Sequence, residues 1–212
     1  RAFLDQNITQ HRQLTSANSI NVARWLPQML YYFLAYKQLK TPLEASGKSL
    51  VCAVPSGNFG NICAGMLARE MGLPIAHFIA ATNANKVDPS NFVRILEMQQ
   101  NNLEVLKNGF SSQSFTDEQT KESMRRIYSD FGYIADPHGA VGFLGLERYQ
   151  KEHPNTYGVF LETAHPVKFL EVVEDTLGKT LPIPQKIVEV LSKQKQATKI
   201  SDYEELTSFL LQ

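Results

Sequence analysis

One stretch constrains this chain more than any other: Ser49 to Met71, SLVCAVPSGNFGNICAGMLAREM. An apolar run, Leu50-Val51-Cys52-Ala53-Val54, stops at Pro55. A small turn follows, Ser56-Gly57-Asn58-Phe59-Gly60-Asn61, and a helical pattern starts directly after it. Strand, tight loop and helix start, in that order, bring backbone N–H groups and a helix N-terminus to one point, which favours an anion. Gly57 and Gly60 leave room for a phosphate and permit positive φ, and Asn58 and Asn61 tolerate left-handed backbone and can donate hydrogen bonds. The loop lacks the Lys-Ser/Thr ending of a Walker A sequence and is not GxGxxG, which disfavours ATP and NAD. On the loop alone two readings stand side by side: a phosphate cradle, or a tight strand–helix turn that holds nothing.

The flanking sequence places this unit in a larger pattern. Residues 14 to 39 carry one broad apolar stripe at helical spacing, Val22, Trp25, Leu26, Met29, Leu30, Phe33 and Tyr36, hence a helix. Asn18, Ser19 and Asn21 at its start read as caps, Pro27 as a kink, and Thr41 to Lys48 as a polar link. Gly72 and Pro74 close the helix after the loop. Ile75 to Ala81 is a second buried strand, ending in the polar turn Thr82-Asn83-Ala84-Asn85 at the edge where open α/β sheets bind ligands. His77 within it reads as a satisfied core or partly exposed histidine rather than a ligand.

Phe92 to about Asn101 is helical, with Ser90 or Asn91 as cap, and Ser-rich Asn102 to Ser114 reads as a mobile loop. Thr116 to Gln119 fits a capping box before Met124, Ile127, Tyr128 and Phe131, closed by Gly132. Asp136-Pro137 has the order of an N-cap and an N1 proline and opens a helix to about Gln150, with His138 in its first turn. Tyr157 to Leu161 is a third strand, broken at Glu162-Thr163-Ala164-His165-Pro166. A helix to Gly178, a connector with Pro182 and Pro184, and a last helix capped at Ser201-Asp202-Tyr203-Glu204 complete the chain. Strands alternating with helices imply an α/β fold with a mostly parallel sheet. The expected division is a ligand-binding α/β domain over 1–178 and a helical extension over 179–212.

Composition narrows the class. Twenty-one basic and 21 acidic residues give a net charge of zero without charge blocks, which argues against nucleic acid or an acidic membrane surface as partner. Two cysteines, Cys52 in a strand and Cys63 on a helix face, read as reduced packing residues. No run reaches a transmembrane length and Arg1 has no signal-peptide core behind it; the expected location is the cytoplasm. The chain opens without methionine in an apparent helix (Ala2, Phe3, Leu4), so its start is expected not to be a natural one.

VPSGNFGN followed by LPIAHFIAATNAN resembles the cofactor-phosphate segment of the threonine synthase family, pyridoxal phosphate (PLP) enzymes of fold-type II with a tryptophan synthase β-like large domain. SANSIN, DPHGAVG and ETAHPVKF agree in the family's order, so the likeness runs from about Thr15 to about Leu170. It implies a PLP-dependent carbon–oxygen lyase of threonine biosynthesis, converting O-phosphohomoserine and water into threonine and phosphate. It further implies that Ser56, Gly57, Asn58, Phe59, Gly60 and Asn61 hold the PLP phosphate and that the Thr163 hydroxyl faces the pyridine nitrogen. Asn18, Ser19 and Asn21 fall in a motif near cofactor or substrate. His138 and His165 are motif residues without an assigned role, and no metal is implied.

Two departures bear on activity. The family's Schiff-base lysine sits in a Phe-Lys-Asp context, and none occurs here: Lys37, Lys86 and Lys168 have other neighbours. The resemblance therefore implies a C-terminal half, inactive alone, whose partner is the missing N-terminal half. Family members also carry a longer segment around Lys86 to Asp88, which implies a deletion or residues absent from the sequence. A non-catalytic PLP- or phosphate-binding module, and another fold-type II enzyme such as a threonine dehydratase or cysteine synthase, are the alternatives; SANSIN, DPHGAVG and TAHP speak against the last.

Overall fold

The computed structural model describes residues 1–15, 18–19, 21–83 and 88–212. In chain order its α-helices and strands are α1 (Gln6–Thr9), α2 (Trp25–Ser46), β1 (Ser49–Pro55), α3 (Gly60–Glu70), β2 (Ile75–Asn83), α4 (Phe92–Met98), α5 (Leu103–Gly109), β3 (Phe110–Phe115), α6 (Asp117–Phe131), α7 (Pro137–Glu152), β4 (Thr156–Phe160), α8 (Leu170–Leu177), α9 (Gln185–Leu191) and α10 (Tyr203–Leu211). The four strands form one sheet in the order β3-β2-β1-β4 with every neighbouring pair parallel. The mostly parallel sheet flanked by helices expected from the sequence is therefore the fold.

The alternation along β1 explains the layering. Leu50, Cys52 and Val54 join Phe78 and Ala80 of β2 in a core shared with Trp25 and Tyr32 of α2 and Ile62, Cys63 and Met66 of α3. Val51 and Ala53 point the other way and meet Ile79 and Leu146, the latter on α7. A strand buried on both faces must be apolar at nearly every position, which is why β1 reads as an unbroken run rather than an alternating one. Beyond α7, Met124, Ile127, Ala140 and Val173 make a third layer of packing among α6, α7 and α8.

Several local expectations change. Pro27 lies in the first turn of α2, where a backbone N–H has no intrahelical acceptor, so it needs no kink. The helix also runs through Pro42 to Ser46 and ends at Gly47 with φ 62°; Thr41 to Lys48 is mostly its last turns, not a link. Asn102 to Ser114 is not a loop but α5 and most of β3. Its polar residues are accommodated because, among the described residues, β3 is an edge strand paired with β2 alone, and Ser111 Oγ lies 2.9 Å from His77 Nε2. His77 itself is buried and stacked on Tyr149, the satisfied core residue expected. The last capping arrangement centres on Asp202, whose side chain accepts from Glu205 N.

The chain divides into two compact units, Asn18–Leu181 and a second made of Arg1–Ala17 with Pro182–Gln212. The first residues thus group with the C-terminal stretch. In that second unit Tyr203 OH donates to Asp5 Oδ2 at 2.8 Å, and Arg12 Nε donates to Leu210 O at 2.7 Å. Among the described residues no helix is long and apolar enough to cross a membrane.

Candidate functional site

The loop after β1 lies at the carboxyl end of the sheet. Ser56 N donates to Ala81 O of β2 at 2.8 Å, extending the parallel pairing one step past Pro55, and Ser56 Oγ turns back to Val54 O at 2.7 Å. Phe59 then takes a left-handed conformation, φ 60° and ψ 13°, at the N-cap of α3. The positive φ expected at Gly57 or Gly60 is absent; the reversal is made by Phe59. Its ring meets Phe92 and Phe110 edge-on at 6.2 and 5.9 Å, and that packing offsets the strain of a bulky residue in this region. Gly60 is needed for another reason. A Cβ there would stand 2.8 Å from Ser19 Cβ, so only a glycine lets the Ser19 segment lie against the loop.

Among the described residues no side chain caps α3, which leaves N–H groups of its first turn available to an external acceptor. A cavity of about 220 Å³ opens there, lined by Ser56, Gly57, Asn58, Phe59, Gly60 and Asn61 together with Ser19, Gln28 and Thr163. The structure thus brings together eight residues singled out in the sequence, Ser19, Ser56 to Asn61 and Thr163, from three motifs spread over more than a hundred positions. Asn61 is fixed by Tyr32, whose hydroxyl donates to its backbone and side-chain oxygens at 2.9 and 3.0 Å; burial pushes the Tyr32 phenol up and keeps it a donor. Asn18 Oδ1 accepts from Ser19 Oγ at 3.2 Å, and Asn21 caps a 3-10 turn by accepting from Ala23 N. Neither Asn18 nor Asn21 lines the cavity. Ser16, Ala17 and Ile20 of the same motif, and Ala84, Asn85, Lys86 and Val87, lie outside the described residues. Gln28 was not foreseen; among the described residues its buried Oε1 has no partner, and the residue lines the cavity.

Thr163 is exposed, and among the described residues its hydroxyl makes no hydrogen bond, so it is free to serve a ligand. The chain around it is tied down. Glu162 Oε1 accepts from Asp136 N at 3.0 Å, joining the ETAHP and DPHG motifs. Asp136 caps α7, accepting from His138 N and Gly139 N, with His138 Nδ1 at 3.1 Å from the same oxygen. Burial, reinforced by the Asp136 charge, pushes the Glu162 carboxyl up to about 7. Burial acts the same way on Asp136, but the hydrogen bonds from His138 outweigh it and hold this carboxyl below its usual range. His165 accepts from Val167 N at 3.2 Å. Both histidines therefore have structural partners. Lys37 and Lys168 are exposed.

A family model described as "Threonine synthase, C-terminal" matches residues 139–210. The threonine synthase of Serratia marcescens is 40% identical over 211 aligned positions, covering 87% of this chain and 48% of that protein. The crystal structure of threonine synthase from Escherichia coli superposes with a TM-score of 0.87 at 35% identity, over 99% of this chain and 54% of that one. The chain belongs to the threonine synthase family. A PLP-bound threonine synthase from Brucella melitensis superposes with a TM-score of 0.78 at 27% identity, over 99% of this chain and 55% of that one. This family member spans about half the length of the curated relatives it matches. The Serratia alignment also runs longer than the stretch of this chain it takes in, so that relative has residues without a counterpart here.

Proposed function

We propose that this chain forms the cofactor-phosphate site of a threonine synthase, which converts O-phosphohomoserine and water into threonine and inorganic phosphate using pyridoxal 5'-phosphate in the cytoplasm. One observation carries the reading: a single cavity has uncapped helix N–H groups at one side and an unpaired hydroxyl, that of Thr163, among its other lining residues. That donor set fits a ligand with a phosphate and a separate ring acceptor.

Ser56 to Asn61 form the wall against the phosphate, which Gly57 to Asn61 hold through backbone N–H groups and the Asn58 side chain. The Ser56 N–H and hydroxyl stay on Ala81 O and Val54 O and fix the start of the loop. The Thr163 hydroxyl donates to the ring nitrogen, and a neutral hydroxyl cannot fix a proton there as a carboxylate would. PLP, when bound, supplies an electron sink for chemistry at the substrate carbons. Ser19 borders the same cavity and, with Asn18 and Asn21 of its motif, is assigned to the substrate. The Phe-Lys-Asp lysine is not among these residues, so the chain alone is expected to bind without turning over.

The test is a titration of the 212-residue chain with pyridoxal 5'-phosphate and with pyridoxal. Saturable binding of the phosphorylated form, competed by inorganic phosphate, is expected; equal binding of both, or none, overturns the reading. Thr163→Ala should weaken binding by about fivefold, the loss of one hydrogen bond, with an unchanged melting temperature. Expressed in its complete reading frame, the protein should release phosphate from O-phosphohomoserine, and binding without release would make it a non-catalytic module.

A further inference from the structure

Asn91 occupies the N-cap position of α4 but does not cap it. An asparagine there ordinarily accepts from the N–H groups of its own helix. This one is fully buried and its side chain is committed elsewhere. Nδ2 donates to Asn58 O at 2.7 Å and to Ser19 O at 3.3 Å, and Oδ1 accepts from Arg94 Nη1 at 2.6 Å. The orientation of the amide follows from chemistry: a guanidinium only donates and carbonyls only accept, so oxygen must face Arg94 and nitrogen the two loops. Ser19 O takes a second donor, Trp25 Nε1 at 2.9 Å, and the Arg94 guanidinium lies 5.2 Å over the Trp25 ring. The four residues close a ring around the junction of two loops that are 39 positions apart.

We infer that Asn91 is a positioning residue for the phosphate loop, holding the Asn58 carbonyl inward and the Ser19 segment against Gly60. In a trans peptide the carbonyl of one residue and the N–H of the next point in opposite directions. Drawing Asn58 O toward the buried amide therefore turns Phe59 N–H away from it, and that N–H has no acceptor among the described residues. The same anchor fixes the entry to α3, whose free N–H groups lie within the next three positions. Asn91 touches no ligand; it sets the direction of groups that do. The inference rests on the phosphate reading of the loop, but its geometric part can be tested without a ligand.

Two measurements on the 212-residue chain decide it. In Asn91→Ala the dissociation constant for pyridoxal 5'-phosphate should rise more than about tenfold, since a buried donor to two carbonyls is lost. Amide NMR resonances of Phe59 to Ile62 should shift in the ligand-free protein. Ile95→Ala, a core deletion on the same helix, should lower stability at least as much while leaving affinity within about twofold. Asn91→Asp keeps the shape and the Arg94 partner but loses the donors, and should show the same loss of affinity and the same resonance shifts, which decides the matter where Asn91→Ala does not fold. Wild-type affinity and wild-type loop resonances in Asn91→Asp overturn the inference, as does an equal loss of affinity in Ile95→Ala. If the parent chain binds no pyridoxal 5'-phosphate, the phosphate reading fails alone, and the loop resonances still decide the role of Asn91.

Discussion

At the loop side of the cavity, Ser56 to Asn61 are held by neutral groups, the Tyr32 hydroxyl and the Asn91 amide, whereas beside Thr163 the half-buried Glu162 carboxyl is tied to the backbone N–H of Asp136, whose own buried carboxyl caps α7. The first arrangement does not titrate near neutrality and needs only close packing. The second stores charge, and its strength depends on whether Glu162 is protonated. Precision at an anion site comes from fixed dipoles, while an exposed hydroxyl can be positioned by a neighbouring carboxyl that accepts from a backbone N–H behind it.

The largest effect should follow from breaking the carboxyl side. Asp136→Ala removes the cap of α7 and leaves buried donors unpaired, costing about 3 kcal/mol by urea unfolding; a loss no larger than that of a surface substitution would mean the cap is not needed. On the loop side, Gly60→Ala forces a Cβ onto Ser19 Cβ and should cost about 2 kcal/mol. Next comes the pH dependence that separates the two regions. The Glu162 carboxyl is raised from 4.5 to about 7 in the fold, so between those values the folded state binds more protons than the unfolded one. Its contribution is fully present below about pH 4.5 and is lost as pH rises through about 7. The loss is on the order of 1 kcal/mol once solvent access is allowed for. Glu162→Gln keeps an acceptor for Asp136 N and should flatten that part of the stability profile; an unchanged slope would place its origin elsewhere. The smallest effect is expected at Gly57, where φ is not positive and a Cβ would meet nothing within 4 Å. Gly57→Ala should stay within about 0.5 kcal/mol of the parent in stability, so any loss it causes in pyridoxal 5'-phosphate affinity would report direct crowding of the ligand.

The contrast also divides what could be read in advance. β1, the loop and α3 were legible because each follows from local rules: a doubly buried strand is continuously apolar, a proline ends it, and small residues make the turn. The ends of α2 were not, because Pro42 is carried by the packing of the helix on α3 and its neighbours rather than by propensity. β3 escaped because a serine-rich edge strand has little hydrophobic pattern, and what makes it a strand is its pairing with β2. At the site, Ser56 to Asn61 and Thr163 were found as motifs. The local pattern around Asn91 suggested only a cap, and Asp136 and Glu162 pair across 26 positions. Contacts of that range have no signature in spacing. Phe59 was foreseen as a site residue, but its left-handed conformation was assigned to the glycines on either side of it.

Cys52 and Cys63 bracket the loop, one on the strand that enters it and one on the helix that leaves it, and both are free and buried. Burial pushes both thiols up to about 12, so neither reacts as a thiolate while the fold is closed. The protein therefore carries its own clock for this region. The rate at which a thiol reagent labels the two sulfurs measures how often strand and helix part, and a ligand seated between them would slow it.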